Sequence, residues 1–276
     1  MKKILFHILL FCAAYITNAQ SDSTQSARPQ FKLSINYNSN LNYYGRTDSL
    51  RSSGVFPLAE LWITPSFYVN AAPIFVNNKI QSFDYAGTVA TIGYQTITDK
   101  WLRNLYVLKP FYEQSSQLVQ SALKAQTGVS ISRLNKIINV TLGADVKFSD
   151  KMDFGATAGL DHIIRIENKD KSIIVINPSV YAYSGTQQFS KTYTRKKSDY
   201  LLFPGNSESV TENSSKFNIL AYEFSMPIIF AKGEVQVLAT PSYILPQNLI
   251  TVANRPDLSE KGENMFYATL GIKYSF

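Results

Sequence analysis

Two observations point to an all-β fold, a single antiparallel β-barrel of about twelve strands that is apolar outside and polar inside. Apolar and polar residues alternate with a period of two along successive stretches. Beyond Ile16 no apolar run reaches the ~18 residues of a membrane helix. The last eight residues show the pattern most clearly. Leu270, Ile272, Tyr274 and Phe276 take one face of an extended strand, and Thr269, Gly271, Lys273 and Ser275 take the other. A strand with one greasy and one wetted face suits a closed barrel with oil outside and water inside.

The chain begins with Lys2 and Lys3, the apolar run Ile4 to Ile16 and the small residues Thr17-Asn18-Ala19. That order is the basic, apolar and cleavage pattern of a secretory leader, and the run is shorter than the ~20 residues a spanning helix needs. Residues 1–19 are therefore expected to be a signal peptide cleaved after Ala19. Residues 20–29 read as a short polar tether, and 30–276 as the barrel. Cys12 leaves with the leader, so a mature chain has no disulfide and no cysteine nucleophile.

Taken in order, Phe31, Leu33, Ile35 and Tyr37 alternate with Lys32, Ser34, Asn36 and Asn38 in a first strand. Gly45 to Gly54 reads as a charged loop and Leu58 to Ile63 as the second strand. A third strand spans Phe67 to Val76, weakened at Pro73, which donates no ladder bond. Gln81 to Ile97 and Trp101 to Tyr112 follow. In Leu118 to Ser132, Val119, Leu123, Ala125, Val129 and Ile131 share a face opposite Gln120, Lys124, Gln126 and Ser130. Strands from Ile138 to Phe148 and from Asp153 to Ile166 alternate most regularly. Ile173 to Tyr193 is a weaker strand, and Thr194 to Ser215 is a basic, then polar, loop. Leu220 to Phe230, Val235 to Tyr243, a loop from Pro246 to Asn264 and the terminal strand complete the chain. The count is twelve; ten or fourteen stay open because Ile173 to Tyr193 is ambiguous. Thr64-Pro65-Ser66, Thr98-Asp99-Lys100, Arg133-Leu134-Asn135 and Ala231-Lys232-Gly233 then share one side, and the longest loops share the other.

Thr269, Gly271, Tyr274 and Phe276 also match, position for position, the C-terminal insertion signal of Gram-negative outer-membrane β-barrel proteins, which the chain resembles. The resemblance implies the outer membrane of a Gram-negative bacterium. It also implies short periplasmic turns, longer extracellular loops, contact with outer-membrane lipid and recognition by the barrel-assembly machinery during insertion. It specifies no functional subfamily.

The formal charge is +7, or +5 once Lys2 and Lys3 are removed, and it is spread along the chain. Nothing resembles the clustered basic patch of a nucleic-acid binder, so nucleic acid is not expected as a partner. His162 is the sole histidine outside the leader; parity puts it on the outer face, while Asp161 points inward. The sequence carries no metal-ligand spacing, no phosphate loop and no nucleophile motif, so neither enzyme, metal nor cofactor is expected.

By parity the inward charged set is Lys32, Glu60, Lys124, Asp145, Lys147, Asp153, Asp161, Arg165, Glu223 and Lys273. Its mixed sign fits either a cross-linked, filled lumen or a narrow polar path. Two functions stay open: a small passive channel for small solutes, and a non-conducting scaffold or surface-binding barrel whose loops, with Tyr193, Arg195, Lys196, Lys197 and Tyr200, capture a ligand. An outer-membrane hydrolase ranks third.

Overall fold

The computed structural model describes residues 28–113, 116, 118–189, 215–251 and 259–276. The chain forms β1 (Gln30–Asn38), a small hairpin β2 (Asn42–Tyr43) and β3 (Arg46–Thr47), then β4 (Ser53–Trp62), β5 (Phe67–Asn77), β6 (Asp84–Ile97) and β7 (Trp101–Tyr112). A short 3₁₀ turn, Val119–Ala122, precedes β8 (Ala125–Arg133), β9 (Asn139–Phe148), β10 (Met152–Asp161) and β11 (Ile164–Glu167). The rest is β12 (Ile173–Ile176), β13 (Ser179–Gly185), β14 (Asn218–Ser225), β15 (Ile228–Lys232), β16 (Val235–Pro246) and β17 (Met265–Ser275).

All pairings are antiparallel, and β1 bonds both β4 and β17, closing the sheet into a twelve-stranded barrel. Closure removes free edges along the wall, which is how a sheet satisfies its backbone in an apolar medium. Three wall strands are each built from two segments that keep one register: β10 with β11, β12 with β13, and β14 with β15. The breaks sit at Pro178 and Pro227 and beside them, because proline has no N–H for the ladder. The remaining bonds run straight across: His162 N–H to Pro178 O, Asn177 N–H to Pro227 O, and Met226 N–H to Pro241 O. The Ile173 to Tyr193 region is thus one strand broken at Asn177-Pro178 and ending at Gly185. In the same way the β4–β5 ladder opens between Val55 and Ala59, where Pro57 comes opposite Pro73.

Alternation sorts the faces as the sequence predicts. Ile35, Leu142 and Ile272 on the outer face are 59%, 57% and 57% exposed, within a belt that continues through Phe31, Ile92, Leu105, Val129, Phe154 and Leu270. A bare apolar belt of this kind is a water-soluble protein's liability and a bilayer protein's requirement. The connections at the end holding Gln30 and Phe276 run from two to five residues, residues 63–66, 98–100, 134–138, 168–172 and 233–234. In the last but one, Lys232 Nζ pairs with Asp170 at 2.9 Å, and hydrogen bonds from Ser172 and from Lys232 hold the Asp170 carboxyl below the usual carboxylate range. Residues 39–52, 78–83, 113–124, 149–151, 186–217 and 247–264 connect strands at the other end.

Three boundaries differ from the sequence reading. The second strand starts at Ser53, five residues before Leu58. The fourth starts at Asp84, not Gln81. Residues 119–122 are not strand: Val119 and Ala122 are buried in a 3₁₀ turn, so Val119 does not share the outer face with Val129.

Candidate functional site

The lumen is stoppered from its long-loop end by the first loop. Residues 39–52 fold back into the barrel as the β2–β3 hairpin, whose two-residue turn is Tyr44-Gly45. Both have φ above zero, 55° and 75°, the combination a type I′ hairpin turn requires. Asn42 Oδ1 accepts the Gly45 N–H at 3.0 Å. Gly45 also lies so close to Pro246 that a Cβ there would sit 2.9 Å from its ring.

The next residue, Arg46, is 1% exposed. Its guanidinium donates through Nε to Glu260 Oε2 at 3.2 Å and through Nη1 to the carbonyls of Tyr44 and Leu220, each at 3.0 Å. Nη2 donates to Gln187 Oε1 at 2.8 Å and to the Gln247 carbonyl at 3.0 Å. A planar fork with fixed donors can tie several loops at one point, and here it joins the first loop to Gln187, Gln247 and Glu260. Thr47 N–H adds a bond to Lys261 O at 2.8 Å.

Around this latch the packing is that of a core. Leu41 sits with Ile74, Val76, Ala86 and Leu118 in one apolar cluster, with Phe56, Val89 and Tyr112 against it. Ala221, Ile244 and Met265 form another, covered by Tyr44, Tyr183 and Tyr267. Asp153, 1% exposed, accepts Thr186 Oγ1 at 2.6 Å and the N–H groups of Gln188 and Phe189 at 2.6 and 2.7 Å. It thereby fixes Phe189 edge-on against the Tyr43 ring, 4.9 Å between centroids.

Lys147, opposite Asp153, is buried beside the stopper, paired with Asp145 and 5.4 Å from the Tyr44 ring centroid. Below this level the wall is polar. Glu223 accepts the Tyr267 hydroxyl at 2.9 Å, and Asp161 accepts Asn139 Nδ2 at 2.8 Å. Nearer the short turns, Lys273 Nζ is 2.6 Å from Glu60 Oε1, an ion pair without hydrogen-bond alignment, and Lys32 lies 5.0 Å over the Trp62 ring. Eight of the ten charges chosen by parity therefore lie on the inner wall. The other two do not line the lumen between the barrel's ends. Lys124 is exposed at the loop-end rim, paired with Asp150 at 2.9 Å, and Arg165 is exposed on the extension below the proline line, paired with Glu167 at 2.8 Å. Parity fixes the face a residue takes but not its height along the barrel.

His162 stands at the break between β10 and β11 with Nδ1 against the Ile137 carbonyl, while Asp161 bonds Asn139, so the two make no dyad. Among the described residues no group of three His, Cys, Asp or Glu side chains is placed to hold a metal. Tyr193, Arg195, Lys196, Lys197 and Tyr200 lie outside the described residues. In the terminal motif Thr269 and Gly271 face inward beside Asn38 and Asn36, and Tyr274 faces outward. Phe276 packs tilted against Phe31 and edge-on against Tyr274, 5.6 and 4.7 Å between centroids, its N–H donating to Phe31 O, so the motif pins the barrel seam.

The closed wall, the outer belt and the short turns at one end decide the class. The chain has the outer-membrane β-barrel fold. No protein-family model and no curated protein matches its sequence. Among solved structures, the barrel is similar to a KdgM porin (TM-score 0.49, 8% identity, 89% of this chain and 99% of that one). It is also similar to a NanC porin (0.46, 11%, 88% and 98%) and to an outer membrane channel from Pseudomonas putida F1 (0.47, 9%, 93% and 100%).

The sequence reading missed Tyr43, Tyr44 and Arg46, which it placed in or beside a charged loop. The one local cue was the run Asn42-Tyr43-Tyr44-Gly45-Arg46-Thr47, two aromatic residues before a glycine in a segment otherwise read as polar.

Proposed function

We propose that the protein is a gated passive channel of the bacterial outer membrane, exported by its leader, whose first extracellular loop is the gate. The observation that carries this reading is the way the stopper is held. Arg46 binds it through polar groups on two other loops and on β14, above a lumen wall of hydroxyl, amide and paired charged groups. Such contacts exchange with water at modest net cost once the site is wetted, whereas a lumen filled by apolar side chains has no wet alternative. With the loop withdrawn, small polar solutes would meet Lys147, Asp145, Asp161, Glu223, Glu60 and Lys273 in turn.

The scaffold reading has its own support in the Leu41 cluster, which makes part of the loop a piece of the barrel core. Replacing residues 40–51 by a short Gly-Ser link separates the two. In planar bilayers the channel reading expects stable, salt-dependent current steps from the shortened barrel and almost none from the intact one. A shortened barrel that is folded, shown by its heat-dependent gel mobility, and silent would leave the non-conducting barrel as the account.

A further inference from the structure

We propose that the lumen below the stopper binds neutral sugars, stacking their rings on a series of tyrosine faces. Three tyrosines in different strands share one placement. Tyr68 in β5 lies opposite Gly93, Tyr106 in β7 opposite Gly128, and Tyr181 in β13 opposite Gly159. Each glycine faces the ring so closely that a Cβ would collide with it. The rings therefore lie flat on the wall, one face on the glycine and the other toward the lumen, and all three are half-buried, not enclosed.

They are spaced along the height of the wall. Trp62, at the short-turn end, stacks against Tyr68 at 4.9 Å; Tyr106 lies halfway up its strand; Tyr181 stacks on Tyr183 at 6.3 Å and 15°. Tyr183 in turn meets Tyr44 of the stopper at 5.2 Å. Polar groups flank the rings: the Tyr68 hydroxyl donates to Asn104 Oδ1 at 3.3 Å, and Gln126 Nε2 donates to the Tyr106 oxygen at 2.9 Å. A flat aromatic face beside amide and hydroxyl groups suits the C–H face and hydroxyl rim of a sugar ring.

Charge decides between neutral and acidic sugars. Inside the wall, Lys147 is paired with Asp145 and Lys273 with Glu60, which also lies opposite Lys32, while Asp161 and Glu223 add negative charge that none of the described cations pairs with, so the inner wall carries more carboxylates than lysines. That balance offers no cationic cradle for a carboxylate or sulfate.

The binding deepens the channel reading but is tested without current. Folded barrel in detergent is mixed with maltohexaose, and saturation is transferred by NMR from tyrosine ring protons to the sugar. The expected result is saturation of the sugar ring C–H protons, affinity lowered about tenfold by Tyr106→Leu and by Tyr68→Leu, the size of one lost aromatic contact, and retained by Tyr106→Phe. Trigalacturonate is expected to bind more weakly than maltohexaose. No saturation by folded wild-type barrel, or equal affinity in folded leucine variants, would overturn the proposal and leave the tyrosines as wall packing. Binding without conduction by the loop-shortened barrel would sink the channel reading and spare this one.

Discussion

Arg46→Ala is the sharpest perturbation of the proposed gate. The side chain is 1% exposed and makes five hydrogen bonds between 2.8 and 3.2 Å, one of them to the Glu260 carboxylate. Removing one member of such a buried, charge-bearing network leaves the others desolvated and costs ~3–5 kcal/mol. Every ~1.4 kcal/mol is tenfold in an equilibrium, so the seated-to-withdrawn ratio of the loop should fall by at least about a hundredfold. Withdrawal rewets Glu260, Gln187 and the carbonyls of Leu220 and Gln247, so the loss falls on the stopper and not on the twelve-stranded wall. Arg46→Lys keeps the charge but not the planar fork, and it should lie between. The assay is single-channel recording, with the heat-dependent gel shift as the check that the wall is intact. An Arg46→Ala barrel that is folded and as silent as wild type would refute the latch argument.

Three further outcomes follow from the wall. Gly93→Ala places a methyl group in the Tyr68 ring and should cost ~1–3 kcal/mol of overpacking, seen as a lower unfolding midpoint in urea. Leu142→Arg puts a charge in the outer belt and should cost ~2–4 kcal/mol near the bilayer midplane, whereas Thr141→Arg, on the lumen side, should be milder. Because Asp170 is held below its usual range, its pairing with Lys232 and Ser172 should be fully present above the ordinary carboxylate value of ~4 and be lost as pH falls through the lowered one. A carbon-13 carboxyl titration of Asp170 reads this directly, and Lys232→Ala should shift its midpoint upward.

The wall was legible because a barrel strand writes its structure locally. Ile138 to Phe148 shows period two without help from any neighbour, whereas the breaks at Pro178 and Pro227 fall inside stretches the sequence reading took as continuous strands. The stopper was not, because its contacts are distant. Arg46 reaches Gln187 and Glu260, 141 and 214 residues away, and in a polar loop an arginine looks the same whether solvated or buried. Val119 was misassigned for a related reason: its turn is buried against a loop whose inward fold no local pattern announces. The tyrosine–glycine pairs lie between, since each residue type is visible in the sequence but only the register sets them opposite one another.

The central claim is that the first loop sits inside the barrel and stoppers it from the long-loop end, and thiol protection tests this most directly. In a chain that starts at residue 20 and so lacks Cys12, the one cysteine of the sequence, Leu41→Cys and Ser49→Cys are introduced singly. Each variant is refolded into vesicles and exposed to a membrane-impermeant maleimide from the loop side. Leu41 is buried in the apolar cluster and Ser49 is exposed. The Ser49→Cys barrel should therefore label fast, and the Leu41→Cys barrel at least about a hundredfold more slowly, the protection a seated loop held by ~3 kcal/mol confers. Adding Arg46→Ala should bring the two rates together. Equal labelling of the two variants with Arg46 intact would show that the loop does not occupy the lumen and would contradict the account.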